Sequence, residues 1–129
     1  MNIKILDITE EQQNIYINFH SHCGNGVGRW EEGTPPKEGK VYTVEFDIDI
    51  IISSSNSQKS DSEAGYIDTI DECLYICGIA ESIDEDGMIF FRIATDCLLM
   101  VESIFVEKTP TNSKLEFFVP RKNVGIYLA

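Results

Sequence analysis

Hydrophobic and polar residues alternate along most of this chain, and this alternation restricts the fold to one class. The clearest example is the segment 41–50. One of its faces is apolar and carries Tyr42, Val44, Phe46, Ile48 and Ile50. The opposite face is polar and carries Thr43, Glu45, Asp47 and Asp49. Because successive side chains of a strand point to opposite faces, this pattern predicts a half-buried β-strand with an acidic outer face.

Shorter runs of the same kind predict further strands. They cover residues 3–8, 15–22, 74–82, 88–94, 97–106, 115–119 and 124–128. The Asp86-Gly87 step between two of these runs is a strong hairpin signal. Residues 97–106 are also compatible with a short helix, but their length and β-branched residues favour a strand. No internal repeat is visible. We therefore expect a mostly β protein with about eight short strands, forming a single-domain antiparallel β-sandwich or a partly open barrel.

The segments between these runs are expected to be turns and loops. Residues 23–28 are rich in glycine, residues 31–40 contain Pro35-Pro36, and residues 108–114 and 120–123 read as turns. Residues 53–62 are mostly small and polar, so they bury too little apolar surface to offset the entropy of ordering. We expect a mobile loop there within one domain, 1–129, because too little chain lies on either side for two cores.

Acidic residues are concentrated in the middle of the chain. The whole sequence has 22 Asp and Glu against 10 Lys and Arg, which gives a net charge of −12. Residues 41–91 hold twelve of these acids and a single base, Lys59. Like charges at this density repel one another and oppose a compact state. Either the charge serves solubility alone, or it matches a positively charged partner.

The same charge argues against two classes of partner. Nucleic acids and anionic membranes are bound through Lys and Arg, which are scarce here. The first residues lack the apolar core of a secretory signal, and no run approaches the roughly 18 apolar residues of a membrane helix. The four cysteines, Cys23, Cys73, Cys77 and Cys97, are then expected to be free thiols in a reducing cytoplasm. The sequence leaves the oligomeric state open and favours a monomer.

Histidine and cysteine residues suggest an alternative function, that of a small-ligand or metal-binding β-barrel. His20, His22 and Cys23 lie within four residues, and zinc accepts such ligands. Their spacing matches no zinc finger, and on a strand Cys23 would point away from the face that the two histidines share. Cys73 and Cys77 would lie roughly 13 Å apart along a strand, too far for one ion. We therefore expect no metal and no cofactor.

Catalytic motifs are weak throughout the sequence. A reactive Cys23 would need the adjacent His22 within hydrogen-bond reach, whereas neighbouring strand residues face opposite ways and acidic surroundings raise a thiol pKa. The glycine-rich segment 23–28 does not have the spacing of a nucleotide-binding fingerprint. Residues 84–86 lack the alternating acids of a calcium loop. The chain is therefore not expected to be an enzyme.

A series of strand motifs in residues 39–128 occurs in this order in a known class of proteins. The series consists of the Tyr-x-Val-Glu strand at 42–45, the hairpin at 76–93, the Asp-Cys-Leu-Leu segment at 96–99 and the Val-Gly-Ile-Tyr-Leu segment at 124–128. Together they resemble small immunity proteins of bacterial polymorphic-toxin and contact-dependent growth inhibition systems. The chain departs from the pattern at 126–129, where those families have a Tyr-Pro ending, and in its Ser-rich insert.

The resemblance implies a non-catalytic cytoplasmic protein that binds one cognate toxin domain and neutralises it. Such toxins are often basic nucleases, so an acidic inhibitor would complement them. The carboxylates expected to bind the toxin are Glu45, Asp47, Asp49, Asp68, Asp71, Glu72, Asp84, Glu85 and Asp86. Tyr66 and Trp30 are candidate aromatic anchors, although Trp30 is more readily explained as a core residue. A structural subunit whose acidic face meets a basic neighbour is a third possibility.

Overall fold

The computed structural model describes residues 1–105 and 111–129, and β-strands make up most of this part of the chain. The described ranges contain no α-helix and one short 3-10 helix, Arg121–Asn123. The strands are β1 (Asn2–Glu11), β2 (Asn14–Ser21), β3 (Gly24–Trp30), β4 (Val41–Ile48), β5 (Ile51–Ile52), β6 (Ser57–Lys59), β7 (Tyr66–Ile70), β8 (Cys73–Ile83), β9 (Met88–Ala94), β10 (Cys97–Ser103), β11 (Lys114–Pro120) and β12 (Val124–Leu128). The prediction of a mostly β chain is confirmed.

The described residues form twelve strands, so the prediction of about eight was too low. The eight predicted runs correspond to observed strands, and the hairpin around Asp86-Gly87 joins β8 to β9. The strands that were not predicted are β3, the short β5 and β6, and β7. β6 lies inside the segment 53–62 that was predicted to be a loop. Residue 106 of one predicted strand and residues 108–110 of one predicted turn lie outside the described residues.

The glycines of residues 23–28 predict a loop, but in the structure they belong to β3 and leave room for core side chains. A Cβ atom at Gly26 would lie 2.3 Å from the ring of Phe19, and one at Gly28 would lie 2.8 Å from Ile126. Glycine is therefore required where large side chains of the core pack against the backbone of the strand. Trp30, at the end of β3, is 5% exposed and its indole N–H donates to the Thr34 carbonyl at 2.8 Å. Trp30 is thus a core residue.

The strands form two sheets. The first is a closed five-stranded barrel with the order β1-β2-β3-β12-β4, in which β1 also pairs with β4. The second has the order β5-β10-β9-β8-β11-β6, with β7 paired to β8 beside β9. β3 and β12 are parallel, and so are β5 and β10. The fold is thus a barrel joined to a second, open sheet.

The two halves of the chain share one pairing pattern. In the first half Ile5 pairs with Phe19 and Asp7 with Asn18, with a bulge between them. In the second half Ala80 pairs with Phe91 and Ser82 with Phe90, again with a bulge between them. Two further pairings correspond in the same register: β1–β4 matches part of β8–β11, and the parallel pair β3–β12 matches β10–β5. Among the described residues the β4–β12 pairing has no counterpart between β11 and β5. The two halves are therefore a structural repeat, which was not visible in the sequence.

The two halves exchange the strand that follows their fourth strand. β5 follows β4 in the chain but pairs with β10 of the second sheet. β12 follows β11 but pairs with β3 and β4 of the barrel. Each sheet therefore needs a strand from the other half, and the buried side chains of both sheets form one hydrophobic cluster. This arrangement makes the chain a single β-rich domain.

Each half of the core contains one contact between two phenylalanine rings. Phe19 and Phe46 pack with their ring centroids 5.6 Å apart, and Phe91 and Phe117 pack with theirs 5.3 Å apart. Phe19, Phe91 and Phe117 are almost completely inaccessible to solvent. None of the helical structure in the described ranges has the length and apolar character needed to span a membrane.

Candidate functional site

All nine carboxylates that were expected to bind a partner are exposed, but they lie in three places. Glu45 and Asp47 are on the outer face of β4, and Asp49 follows that strand. A second group, Asp68, Asp71 and Glu72, belongs to β7 and the turn after it. A third group, Asp84, Glu85 and Asp86, is the turn between β8 and β9. The second and third turns lie at opposite ends of the eleven-residue β8, roughly 30 Å apart by strand rise.

Within the described ranges none of these nine carboxylates takes part in an ion pair. The four ion pairs found there are His22–Asp96, Arg29–Glu31, Arg92–Glu81 and Arg121–Glu11. The net negative charge of residues 41–91 is therefore largely left for solvent or a partner to balance. Exposed charges of one sign create a potential that attracts cations over distances of about 10 Å at moderate ionic strength.

Two of the three groups contain residues with a local role in the turn to which they belong. One carboxylate oxygen of Asp84 accepts hydrogen bonds from the backbone N–H groups of Asp86 and Met88, each at 2.9 Å. These bonds hold the hairpin turn in place. Asp71 and Glu72 have positive φ angles of 50° and 62° in the tight turn between β7 and β8. That turn shares a surface depression with Arg121 and Lys122, whose charges oppose its own.

The remaining group lines a cleft between β4 and β10. The cleft has a volume of about 420 Å³, within the range of ligand-binding clefts. Glu45, Asp47 and Asp96 form its acidic rim. Its apolar lining includes Leu98 and Met100, whose side chains are 43% and 59% exposed. A cleft of this kind offers apolar contact area and negative charge to the same ligand.

The cleft exists because two neighbouring strands diverge. β5 pairs with the end of β10, with Ile51 opposite Glu102 and Ile52 opposite Ser103. β4 precedes β5 by only two residues but pairs with β12 of the barrel. The chain therefore runs beside β10 at one end and away from it at the other, which opens a wedge between the two sheets.

An exposed tyrosine stands beside the acidic row of β4. Tyr127 lies opposite Glu45 in the β4–β12 pair and is 40% exposed. A Cβ atom at Gly125 would lie 3.0 Å from the Tyr127 ring and 3.4 Å from the Cβ of Asp47, so the ring lies across Gly125 beside Asp47. Sequence reasoning did not select Tyr127, Asp96, Leu98 or Met100 as site residues. The alternation in β10, which exposes Leu98 and Met100 on the same side, was the available signal.

The histidines and cysteines are arranged differently from the prediction. His22 and Cys23 form the turn between β2 and β3, so their side chains meet instead of pointing apart, and the His22 ring also contacts the Asp96 carboxylate at 3.0 Å. The Cys23 sulfur lies 3.9 Å from Nδ1 and 3.8 Å from Nε2 of His22, and these nearly equal distances place it against the ring and not at one nitrogen. Burial and the nearby Asp96 both raise the pKa of Cys23, which keeps it a neutral thiol.

The other potential metal ligands are separated. The His20 ring contacts the Asn25 side chain at 2.7 Å, and the buried Cys77 thiol donates to the Ser60 hydroxyl at 3.2 Å. Burial raises the pKa of Cys97 to about 11. All four cysteines have free thiols. Across residues 1–105 and 111–129, no group of three or more His, Cys, Asp or Glu side chains is arranged to hold a metal ion.

A group of aromatic rings lies on the outer face of the second sheet. The Tyr75 ring packs between Tyr66 and Phe118, with centroid distances of 5.3 and 5.2 Å. The Tyr66 hydroxyl donates to that of Tyr75 at 3.3 Å, and the Tyr75 hydroxyl donates to the Glu116 carboxylate. Burial and this bond to Glu116 raise the pKa of Tyr75. Tyr66, predicted as an aromatic anchor, is thus exposed at the edge of an ordered cluster.

Three comparisons were made with known proteins. Protein-family models, curated proteins and solved structures gave no match to this chain.

Proposed function

We propose that this chain is an immunity-type protein, which binds a basic protein toxin domain and neutralises it without catalysis. The observation that carries the proposal is the cleft between β4 and β10. It combines the exposed carboxylates of Glu45 and Asp47 with the exposed side chains of Leu98 and Met100. This combination suits a partner that presents Lys or Arg side chains next to apolar ones.

The two parts of the cleft contribute in different ways. The carboxylates attract a basic partner and raise its association rate by a factor of about 10 to 1,000. The apolar side chains contribute affinity, because burying apolar surface is worth about 25 cal/mol per Å². Tyr127 beside the acidic row is the kind of residue that often contributes most to an interface. A nuclease toxin fits this surface because a protein that binds a polyanion carries a positive site.

Two observations support a non-catalytic, cytoplasmic protein. The Cys23 thiol has a raised pKa and sits against the face of the His22 ring, an arrangement unsuited to a nucleophile and its base. The four free cysteines suit a reducing compartment. The proposed partner is therefore a toxin domain that acts inside the cell and is blocked there.

Co-purification with the basic domain encoded by the adjacent reading frame tests the proposal. The double variant Glu45→Lys/Asp47→Lys should lower the affinity for that domain about tenfold or more, since losing close charge pairs costs about 1.5 kcal/mol or more. Glu10→Lys/Glu38→Lys is the matched control, because it changes the net charge equally at exposed positions away from the cleft lining. Equal loss in both double variants, or no complex with the wild-type chain, would refute the proposed site.

A further inference from the structure

Over the ranges that the structure describes, the strand edges that face the cleft are unpaired over half of β4 and most of β10. Among the described residues, β4 pairs with β1 only through Val41, Tyr42 and Thr43, although the Val44 N–H also donates to the Met1 carbonyl at 2.9 Å. On its side facing β5, β10 pairs only through Glu102 and Ser103. Residues 45–48 of β4 and 97–101 of β10 therefore present edges that no strand in the described part of the chain covers.

The backbone groups on these edges point into the cleft. Successive residues of a strand direct their N–H and C=O groups to alternate sides. The N–H and C=O groups of Val44 bond to Met1, at the start of the chain beside β1. The N–H and C=O groups of Phe46 therefore lie on the same side of β4, which faces β10. The Ile104 N–H donates to the Ile52 carbonyl at 2.9 Å, so the groups of Met100 and Leu98 also point toward β4. Both walls of the cleft thus offer strand hydrogen bonds.

The other half of the molecule shows what can fill such a wedge. Among the described residues β12 pairs with β3 only at Gly125 and Ile126, and beyond this pair a gap opens between β3 and β11. That gap holds β7 and the first residues of β8, with residues 73–76 of β8 paired to β11. The Ile67 N–H of β7 donates to the Cys23 carbonyl at 2.9 Å, beside β3. In residues 1–105 and 111–129, no strand fills the cleft between β4 and β10 in this way.

We infer that the cleft binds an extended segment of the partner as an added β-strand, with hydrogen bonds to the edges of β4 and β10. The inference rests on the proposed function, for which it supplies the mode of binding. Alternate side chains of the segment would face inward to Phe46 and Leu99 and outward to the carboxylates of Glu45 and Asp47. The segment therefore alternates apolar and basic residues.

Charge selects this occupant over a second copy of the chain. An exposed edge strand is a template for self-association, and charged side chains along it oppose that pairing. Two copies meeting at this edge would bring Glu45 and Asp47 close to the same carboxylates of the other copy. A basic segment turns the same charges into an attraction, so the acidic row distinguishes partner from self.

The probe is a synthetic peptide, acetyl-Val-Lys-Val-Arg-Val-Lys-Val-amide, added to the full chain. Amide hydrogen exchange is followed by NMR at a peptide concentration ninefold above its Kd. Exchange at Phe46, Leu98 and Met100 should slow about tenfold, in proportion to occupancy. Exchange at Glu45, Leu99 and Val101 should change little, because strand alternation directs these amides to the neighbouring strands β12 and β9. The same peptide N-methylated at alternate residues keeps its charge but loses half of its donors, and it should bind at least tenfold more weakly.

The outcomes separate the mode of binding from the function. Equal binding of the N-methylated peptide, or uniform slowing of exchange in both sets of amides, would overturn strand addition. A tight complex with the adjacent basic domain, in which the amides of Phe46, Leu98 and Met100 exchange as fast as in the free chain, would also overturn strand addition. That result would leave the proposed function intact. If neither the peptide nor the basic domain binds, both proposals fail.

Discussion

Glu45 of β4 and Phe118 of β11 occupy equivalent positions in the two halves of the fold. Asn2 pairs with Thr43 in the first half as Cys77 pairs with Glu116 in the second, and Glu45 and Phe118 follow two residues later. One position therefore carries a carboxylate beside Tyr127, and the other carries a ring against Tyr75. The two halves share these strand pairings but present different chemistry to solvent, which makes the acidic cleft a property of one half only.

The acidic cleft predicts a specific dependence on salt. The association rate with a basic domain should fall as the Debye length shrinks from about 10 Å at 0.1 M to about 3 Å at 1 M salt. Glu45→Gln/Asp47→Asn should flatten this dependence, as stopped-flow association over a salt series would show. Glu85→Gln/Asp86→Asn removes the same charge from the β8–β9 turn and should have the smaller effect. A larger effect of the second pair would move the binding surface to that turn.

The glycines of β3 predict a loss of stability when they are replaced. Gly26→Ala and Gly28→Ala would force a Cβ atom into Phe19 and Ile126, and such overpacking costs about 1–3 kcal/mol. Urea unfolding followed by circular dichroism measures the change. Gly33→Ala is the control, because nothing lies within 4 Å of a Cβ atom there. Equal stability of Gly26→Ala and Gly33→Ala would show that the Phe19 ring does not pack against Gly26 as described.

The exchanged strands predict that both sheets unfold together. Phe19 belongs to the barrel and Phe91 to the second sheet, and replacing either with Ala should lower the free energy of unfolding by about 3–5 kcal/mol. Each variant should still show a single transition by near-ultraviolet and far-ultraviolet circular dichroism. Two separate transitions in either variant would show that the sheets are independent domains.

The pKa of Cys97 predicts that stability declines in alkaline solution. Burial raises that pKa from 9.0 to about 11, so the folded chain holds a proton that the unfolded chain releases. The contribution is complete below pH 9 and is lost as the pH rises toward 11, with a slope of up to about 1.4 kcal/mol per pH unit. Urea unfolding at several pH values measures the slope, and Cys97→Ala should reduce it. An unchanged slope in that variant would assign the alkaline loss to other groups.

The sequence was informative where structure is decided locally. Alternation identified β4 and its acidic outer row, and the Asp86-Gly87 step identified the β8–β9 hairpin. It was misleading where the choice of a residue depends on one that is distant in sequence. Gly26 is glycine because the Phe19 ring packs against it across the β2–β3 pair. The cleft could not be predicted, since it depends on β5 pairing with β10 while β4 pairs with β12, and nothing in the local pattern of 41–52 distinguishes those two neighbours.

The exchange of β5 and β12 has a consequence for the order of events during synthesis. The barrel is built from β1 to β4 but needs β12, so it cannot close until residues 124–128 have left the ribosome. Until then β3 and β4 remain as open edges of a growing chain, in the condition that most favours misassembly with other nascent chains. The native barrel is therefore expected to form only after residues 124–128 have emerged, and not while β1 to β4 are being synthesised.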